Sequence, residues 1–406
     1  MIRQFNYGFL NFGGMKEDTL FDNTKTAFIL KSDSELERAY FLFKMIANEP
    51  LVRIGTAVTN FALKAHLPVQ GLIRATVFDH FCAGVDEEDC MPVIDKMFTK
   101  GNVSSVLDYS VEGKESEDQF DQAADKILKI LDFVDKKEAI PFGVFKPTGF
   151  GRFLLWQKVT EGVELTVAEQ EEWNRIEERF DKVCKKAYEC DVPLLIDGEE
   201  SWMQDAADDL VAKMMRKYNK EKAIVYNTLQ LYRHDRMNYL IKLHDEAQSS
   251  GFKIGMKIVR GAYMEKENDR AKEKGYLSPI CISKEETDKN FDKTLAYILE
   301  NIDTISVFIG THNEQSCYQA MKLMNKNSIH KKDPRVWLGQ LYGMSDHISF
   351  NLASEEYNVA KYLPFGPVRD VMPYLIRRAE ENTSVAGQTT RELDLISKER
   401  KRRKLE

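Results

Sequence analysis

The chain has 406 residues, 43% hydrophobic and 30% charged, the balance of an ordinary soluble globular protein with one large domain or two to three small ones. Its net charge of −7, with no long basic block in the body of the chain, sets nucleic-acid binding aside. The six cysteines show neither a CxxC pair nor zinc-ligand spacing and read as reduced thiols of a cytosolic-type compartment.

The N-terminus has no signal-peptide pattern, and Glu17, Asp18 and Asp22 weigh against a transit peptide. No apolar run approaches the length of a membrane span. From Asp33 to Asp89 apolar residues recur at helical spacing, first over Ser34 to Ile46 and again from Leu51 to Phe81, with Ser34 or Asp33 as N-cap. Residues 1–100 therefore read as an N-terminal helical region.

After Gly101 the texture changes to short β-branched runs between long amphipathic stretches. The runs start at Val103, Ile140, Val192 and Ala223, and then at Ile254, Ile305, Arg335 and Tyr357. Strand alternating with helix implies right-handed crossovers and a parallel sheet. Eight such units favour a (β/α)8 barrel over an open doubly wound sheet. The barrel is expected over residues 101–385. Gly149-Phe-Gly151 lacks the third glycine of a dinucleotide fingerprint, so no Rossmann site is indicated. The remaining residues, 386–406, end in the basic run Lys398 to Lys404, read as a solvated tail in preference to a membrane contact.

Barrel chemistry is built where strands end. Those positions hold Asp108 and Glu112, Lys146, Asp197 and Glu199, Gln230 and Tyr232, and Lys257 and Arg260. Thr311-His312-Asn313, Gln340-Leu341 and Tyr362 complete the set. Lys146 suits either a Schiff-base nucleophile or the counter-ion of a carboxylate, and Asp197 on the next strand favours the pair. His312 lacks an HxH or HxxxH partner, so a metal site is not expected. Arg260-Gly-Ala-Tyr263 suits a phosphate or cofactor contact, although a plain strand-to-helix turn has the same spacing. Further on, a helix started by Pro367 would place Tyr374, Arg377, Arg378 and Glu381 on one face. Alone, that segment reads as a solvated face with an Arg377–Glu381 ion pair.

In this order and at these intervals the segments resemble the proline dehydrogenase family. The resemblance runs through Leu107 to Glu112, Phe145-Lys146, Leu195 to Glu199, Asn227 to Gln230 and Lys257 to Tyr263. It continues over Thr311 to Asn313, Gly339 to Met344, Lys361 to Pro367 and Tyr374 to Arg378. With no aldehyde dehydrogenase segment behind them, these forms are similar to the monofunctional, mitochondrial-like branch. The resemblance implies a distorted (β/α)8 TIM barrel, α/β in class, holding FAD non-covalently, with its last helix over the barrel mouth. It implies oxidation of L-proline to Δ1-pyrroline-5-carboxylate by hydride transfer, a quinone acceptor, and a cytoplasmic enzyme with peripheral inner-membrane contact as an open alternative.

Carried over by position, Gly198, Gln230, Lys257, Arg260, Gly261, Ala262, Thr311, His312 and Glu381 would contact the cofactor. Lys257 and Asp197 would serve catalysis, with Asp197 paired to Lys146 below the substrate. Arg377 and Arg378 would clamp the carboxylate, with Lys146, Leu341, Tyr362 and Tyr374 around the ring and Glu112 as a gate on Arg377. Tyr362 favours proline over hydroxyproline, the nearest rival substrate. A Schiff-base lyase using Lys146 or Lys257 is the rival from another class.

Overall fold

The computed structural model describes residues 19–48, 71, 74–110, 113, 115–384 and 388–405, apart from the side chains of residues 75, 76, 379–384 and 388. Each expected strand run holds a strand: β1 Ser104–Tyr109, β2 Gly143–Phe145, β3 Leu194–Ile196 and β4 Val225–Gln230, then β5 Ile254–Val259, β6 Ile305–Gly310, β7 Val336–Leu341 and β8 Val359–Phe365. All pair in parallel in the order β1-β8-β7-β6-β5-β4-β3-β2. A bridge between Val106 and Phe142 brings β1 back to the β2 segment, so the sheet closes into the expected (β/α)8 barrel.

Period-two alternation sorts the side chains to two faces. One row faces outward onto the helices and forms the main core, including Leu131, Phe180, Leu210, Ile258 and Ile309. The other fills the barrel. Phe142 packs edge-on against Tyr226, Phe308 and Trp337 at ring-centroid distances of 5.9, 5.3 and 5.4 Å. These rings need room across the barrel. A Cβ on Gly339 would lie 2.1 Å from the Phe308 ring, and one on Gly255 2.5 Å from Tyr226. The aromatic layer is a solid floor, and the space above it at the C-terminal ends of the strands is left for function.

The N-terminal helix Asp33–Ile46 starts one residue earlier than expected: its N-cap is Ser32, which closes a capping box with Glu35. Of the second expected helical stretch, residues 74–81 are helical and residues 51–70 lie outside the described residues. Among the described residues no helix is long and apolar enough to cross a membrane.

The basic run expected as a solvated tail belongs to a docked helix, Gln388–Arg402. Leu395 and Ile396 are buried against Phe28, Leu36, Ala39 and Phe43. Arg400 pairs with Glu37 at 2.6 Å, and Arg403 reaches Asp33 and the Phe28 and Lys31 carbonyls at 2.8 to 3.0 Å. Arg400 and Arg403 thus dock the helix onto the N-terminal segment, while Arg402 pairs with Glu399 of its own helix. The preceding helix, Met372–Ser384, begins after a turn that the Pro367 carbonyl closes by accepting from the Asp370 N–H, so Pro373 and not Pro367 occupies its first turn.

Candidate active site

A cavity of 720 Å³ opens above the aromatic floor. The barrel wall supplies Lys146 just after β2, Asp197 and Gly198 after β3, Gln230 at the end of β4 and Lys257 within β5. Arg260, Gly261 and Ala262 follow β5, and Thr311 and His312 follow β6. Leu341 and Tyr362 come from β7 and β8, and the helix Met372–Ser384 adds Tyr374, Arg377 and Arg378. Nearly every residue expected at the site thus lines one space. Glu112 and the side chain of Glu381 lie outside the described residues.

The polar wiring differs from expectation at one point. Asp197 forms its ion pair with Lys257, not with Lys146. The Lys146 ammonium lies 3.9 Å from Asp108. Lys257 also donates to the Tyr362 hydroxyl at 3.1 Å and sits 4.9 Å from the centre of that ring. Burial, then the charges of Asp197 and Asp108, hold the Tyr362 phenol well above its ordinary range. Lys257 and Tyr362 are both buried, so removing either leaves a polar group with no solvent to replace its partner.

Arg260 is fixed on three sides. It donates to Asp288 at 2.8 Å, to the Thr311 hydroxyl at 3.1 Å and to Ser316 at 3.0 Å, and it stacks 4.5 Å from the Phe291 ring centre. Next to it the backbone of Gly261 has φ 132°, and a Cβ there would strike the Tyr232 ring at 2.5 Å. A Cβ on Gly198 would meet Gln230 at 3.2 Å. Both glycines therefore let the backbone pack close to a side chain, Tyr232 for Gly261 and the cavity-lining Gln230 for Gly198. His312 has Nδ1 2.8 Å from the Ser345 hydroxyl and Nε2 3.4 Å from the Leu341 N–H. Burial, then the cations of Lys361 and Arg378, push its imidazole down to about 3, so it is neutral at physiological pH.

Strand-end reasoning missed the cavity residues that come from helices and from within strands. His347 and Arg391 reach it from the helices Asp346–Ser354 and Gln388–Arg402, and Thr228 comes from inside β4. No sequence signal marks the helical pair, whereas alternation along β4 places Thr228 on the same face as Gln230. The cations Lys146, Lys257, Arg260, Lys284, Arg377, Arg378 and Arg391 outnumber the carboxylates Asp108, Asp197 and Glu314 around this space. Such a wall favours anionic ligands. A side chamber of 280 Å³ shares Asp108, Lys146, Tyr263 and Arg377 and adds Thr148 and Glu199.

A parallel (β/α)8 barrel with a cation-rich cavity at the C-terminal ends of its strands is the architecture of a barrel enzyme. Sequence comparison narrows the class. The chain belongs to the proline dehydrogenase family of oxidoreductases, whose profile, described as Proline dehydrogenase, matches residues 91–391. The carbapenem antibiotics biosynthesis protein CarD of Pectobacterium carotovorum subsp. carotovorum is 34% identical over 89% of this chain and 94% of its own length. The mitochondrial proline dehydrogenase 1 of Dictyostelium discoideum is 31% identical over 94% of this chain and 74% of its own. Among solved structures, proline utilization A (PutA) from Bdellovibrio bacteriovorus superposes with a TM-score of 0.70 at 20% identity, covering 91% of this chain. At that identity the likeness establishes the fold alone, and this chain spans 39% of the PutA chain.

Proposed function

We propose that this protein binds FAD non-covalently, oxidises L-proline to Δ1-pyrroline-5-carboxylate and returns the electrons to a quinone. The carrying observation is the convergence on one cavity of an arginine pair, Arg377 and Arg378, with Lys257 and the apolar faces of Leu341, Tyr362 and Tyr374. Peripheral contact of a cytoplasmic enzyme with the inner membrane, where a quinone is found, belongs to the same proposal.

The cavity suits the cofactor. Its 720 Å³ is lined by seven cations that suit an anionic, phosphate-bearing group, and Gly198, Gln230, Lys257, Arg260, Gly261, Ala262, Thr311, His312 and Glu381 would hold the ligand. Bound FAD supplies the hydride acceptor, chemistry that side chains lack. The chain's own residues do the rest. Arg377 and Arg378 suit the proline carboxylate, because a guanidinium fork binds such a group bidentately. Anchoring the carboxylate fixes the position of the ring, the proximity contribution to rate. Leu341, Tyr362 and Tyr374 exclude water from the ring, with Lys146 at its edge. Asp197 and Tyr362 hold the Lys257 ammonium as a preorganised cation, so it needs no rearrangement when negative charge builds nearby. Glu112 would close on Arg377 once substrate is bound.

The purified protein should be yellow and should bleach when L-proline is added without oxygen. Absence of flavin absorbance, or a spectrum indifferent to proline, overturns the reading. Arg378→Met should raise KM for proline roughly 10- to 100-fold, the scale of a lost charge-assisted hydrogen bond, while flavin stays bound. An unchanged KM would remove Arg378 from the clamp. The likeness to the CarD biosynthesis protein favours a second reading, in which the same site serves a biosynthetic route. Hydroxyproline is the nearest rival substrate, and comparing kcat/KM for L-proline and hydroxyproline tests the preference.

A further inference from the structure

Resting on the reading of His312 as a cofactor contact, we propose that Glu392 is a positioning residue: through Ser345 it fixes the orientation and tautomer of His312 from outside the barrel.

Ser345 follows β7 and is 1% exposed, with its backbone in the left-handed region at φ 51° and ψ 40°. A residue with a Cβ is strained in that region, so the surroundings must impose it. They do so from two sides. Its N–H donates to Glu392 Oε1 at 2.5 Å, and its carbonyl accepts from the Ile348 and Ser349 N–H groups at 3.0 and 3.1 Å. The resulting turn carries the Ser345 hydroxyl to 2.8 Å from His312 Nδ1. On the other side of the ring, the Leu341 N–H points at Nε2 from 3.4 Å, which requires Nε2 to accept. Nδ1 therefore carries the hydrogen, and Ser345 Oγ accepts it. The neutral imidazole carries one N–H, and the Ser345 acceptor on one side with the Leu341 donor on the other place it on Nδ1.

Glu392 is an unusual group to find behind a cavity wall. It is 3% exposed, and burial followed by the nearby Asp346 raises its carboxyl against the opposing pull of His347 and Lys361. His347 Nδ1 lies 3.9 Å away, while its Nε2 meets Glu314 at 3.0 Å. Neighbouring Arg391 holds Glu314 at 2.7 Å and Asp22 at 2.9 Å, which seats this turn of the helix Gln388–Arg402 against the barrel. The carboxylate is thus delivered by an element outside the strands, and it meets the backbone group that sets the turn carrying the histidine's partner. The family match ends at residue 391, one position before it.

The test uses the full-length protein in three forms, Ser345→Ala, Glu392→Ala and Glu392→Gln, beside the parent. The chain has seven histidines, so ¹⁵N labelling of histidine reads the His312 tautomer directly. In Ser345→Ala and Glu392→Ala the Nδ1–H form should give way to a mixture. Flavin release should speed up about 2- to 10-fold, the scale of one hydrogen bond. KM for proline should stay within about twofold, because neither residue reaches the substrate clamp. Glu392→Gln keeps an acceptor for the Ser345 N–H and should restore parental behaviour. An unchanged tautomer in both alanine variants overturns the proposal, as does Glu392→Gln matching Glu392→Ala. If Glu392→Ala does not fold, Ser345→Ala decides the hydroxyl contact and Glu392→Gln the acceptor. A parent protein that takes up no flavin would end the functional reading and still leave the tautomer measurement to judge Glu392 and Ser345.

Discussion

Glu199 shows how burial and hydrogen bonding compete at one carboxyl. It sits in the side chamber, and Thr148 donates to it twice, from its N–H at 2.9 Å and its hydroxyl at 2.7 Å. Burial outweighs those bonds, and with Glu200 alongside raises the group to about 7, despite Lys146 pulling the other way. The folded protein then binds a proton that the unfolded chain has released, between its ordinary value of 4.5 and about 7. Stability from this group is therefore present at low pH and is lost as pH rises through that window. Glu199→Gln should be more stable than the parent at pH 8 by up to about 3 kcal/mol, and so unfold at a higher temperature, with the advantage fading toward pH 4.5. Thermal melts across that range check it, and an offset that ignores pH would reject the assignment. The positions of Glu199 and Asp197 were legible in the sequence because polar residues closing apolar strands mark the functional end of a barrel, and Lys257 because a lysine interrupts the apolar run of β5. The partner of Asp197 was not. Chain order suggests Lys146 on the preceding strand, but the side chain pairs with Lys257 two strands further on, a matter of stagger around a closed barrel.

At the scale of elements, the helix Gln388–Arg402 joins two jobs. One face buries Leu395 and Ile396 against the helix Asp33–Ile46, and its first turn sends Arg391 and Glu392 toward the cavity. Leu395 is fully buried, so Leu395→Ala should cost about 2–5 kcal/mol of this packing. If docking is what presents Glu392, the same variant should also release flavin faster, although it lies outside the cavity lining. Flavin retention equal to the parent after a clear loss of thermal stability would separate the two jobs. Read for charge, this segment was a tail. Its arginines are matched by Asp33 and Glu37, which lie 370 and 363 residues away in sequence, so the pairing has no local signature.

For the whole molecule, the barrel is held unevenly. β4, β5 and β6 pair over most of their length, whereas β2 pairs with β3 over three residues and the β1–β2 closure has one bridge, between Val106 and Phe142. The bond from the Ser105 N–H to the Ala139 carbonyl at 2.8 Å adds to that seam. Amides of Gly143–Phe145 should accordingly exchange with solvent before those of Ile254–Val259. Hydrogen-exchange mass spectrometry resolves the two segments, and equal protection would show that packing of Phe142 compensates for the missing ladder. Eight apolar runs spaced by helices made the barrel legible; that β2 and β3 are only three residues long, and that the seam rests on a bridge at Phe142, is not reported by alternation.

The position of Glu392 along the chain also bears on the timing of synthesis. Ribosomes deliver β1 through β8 before the helix Gln388–Arg402. A nascent chain that already holds every strand, His312 and Ser345 still lacks the carboxylate that sets the Ser345 turn. Only a short stretch separates β8 from that helix, less than the ribosomal exit tunnel covers, so the barrel closes and the cavity wall at His312 is finished in one late step.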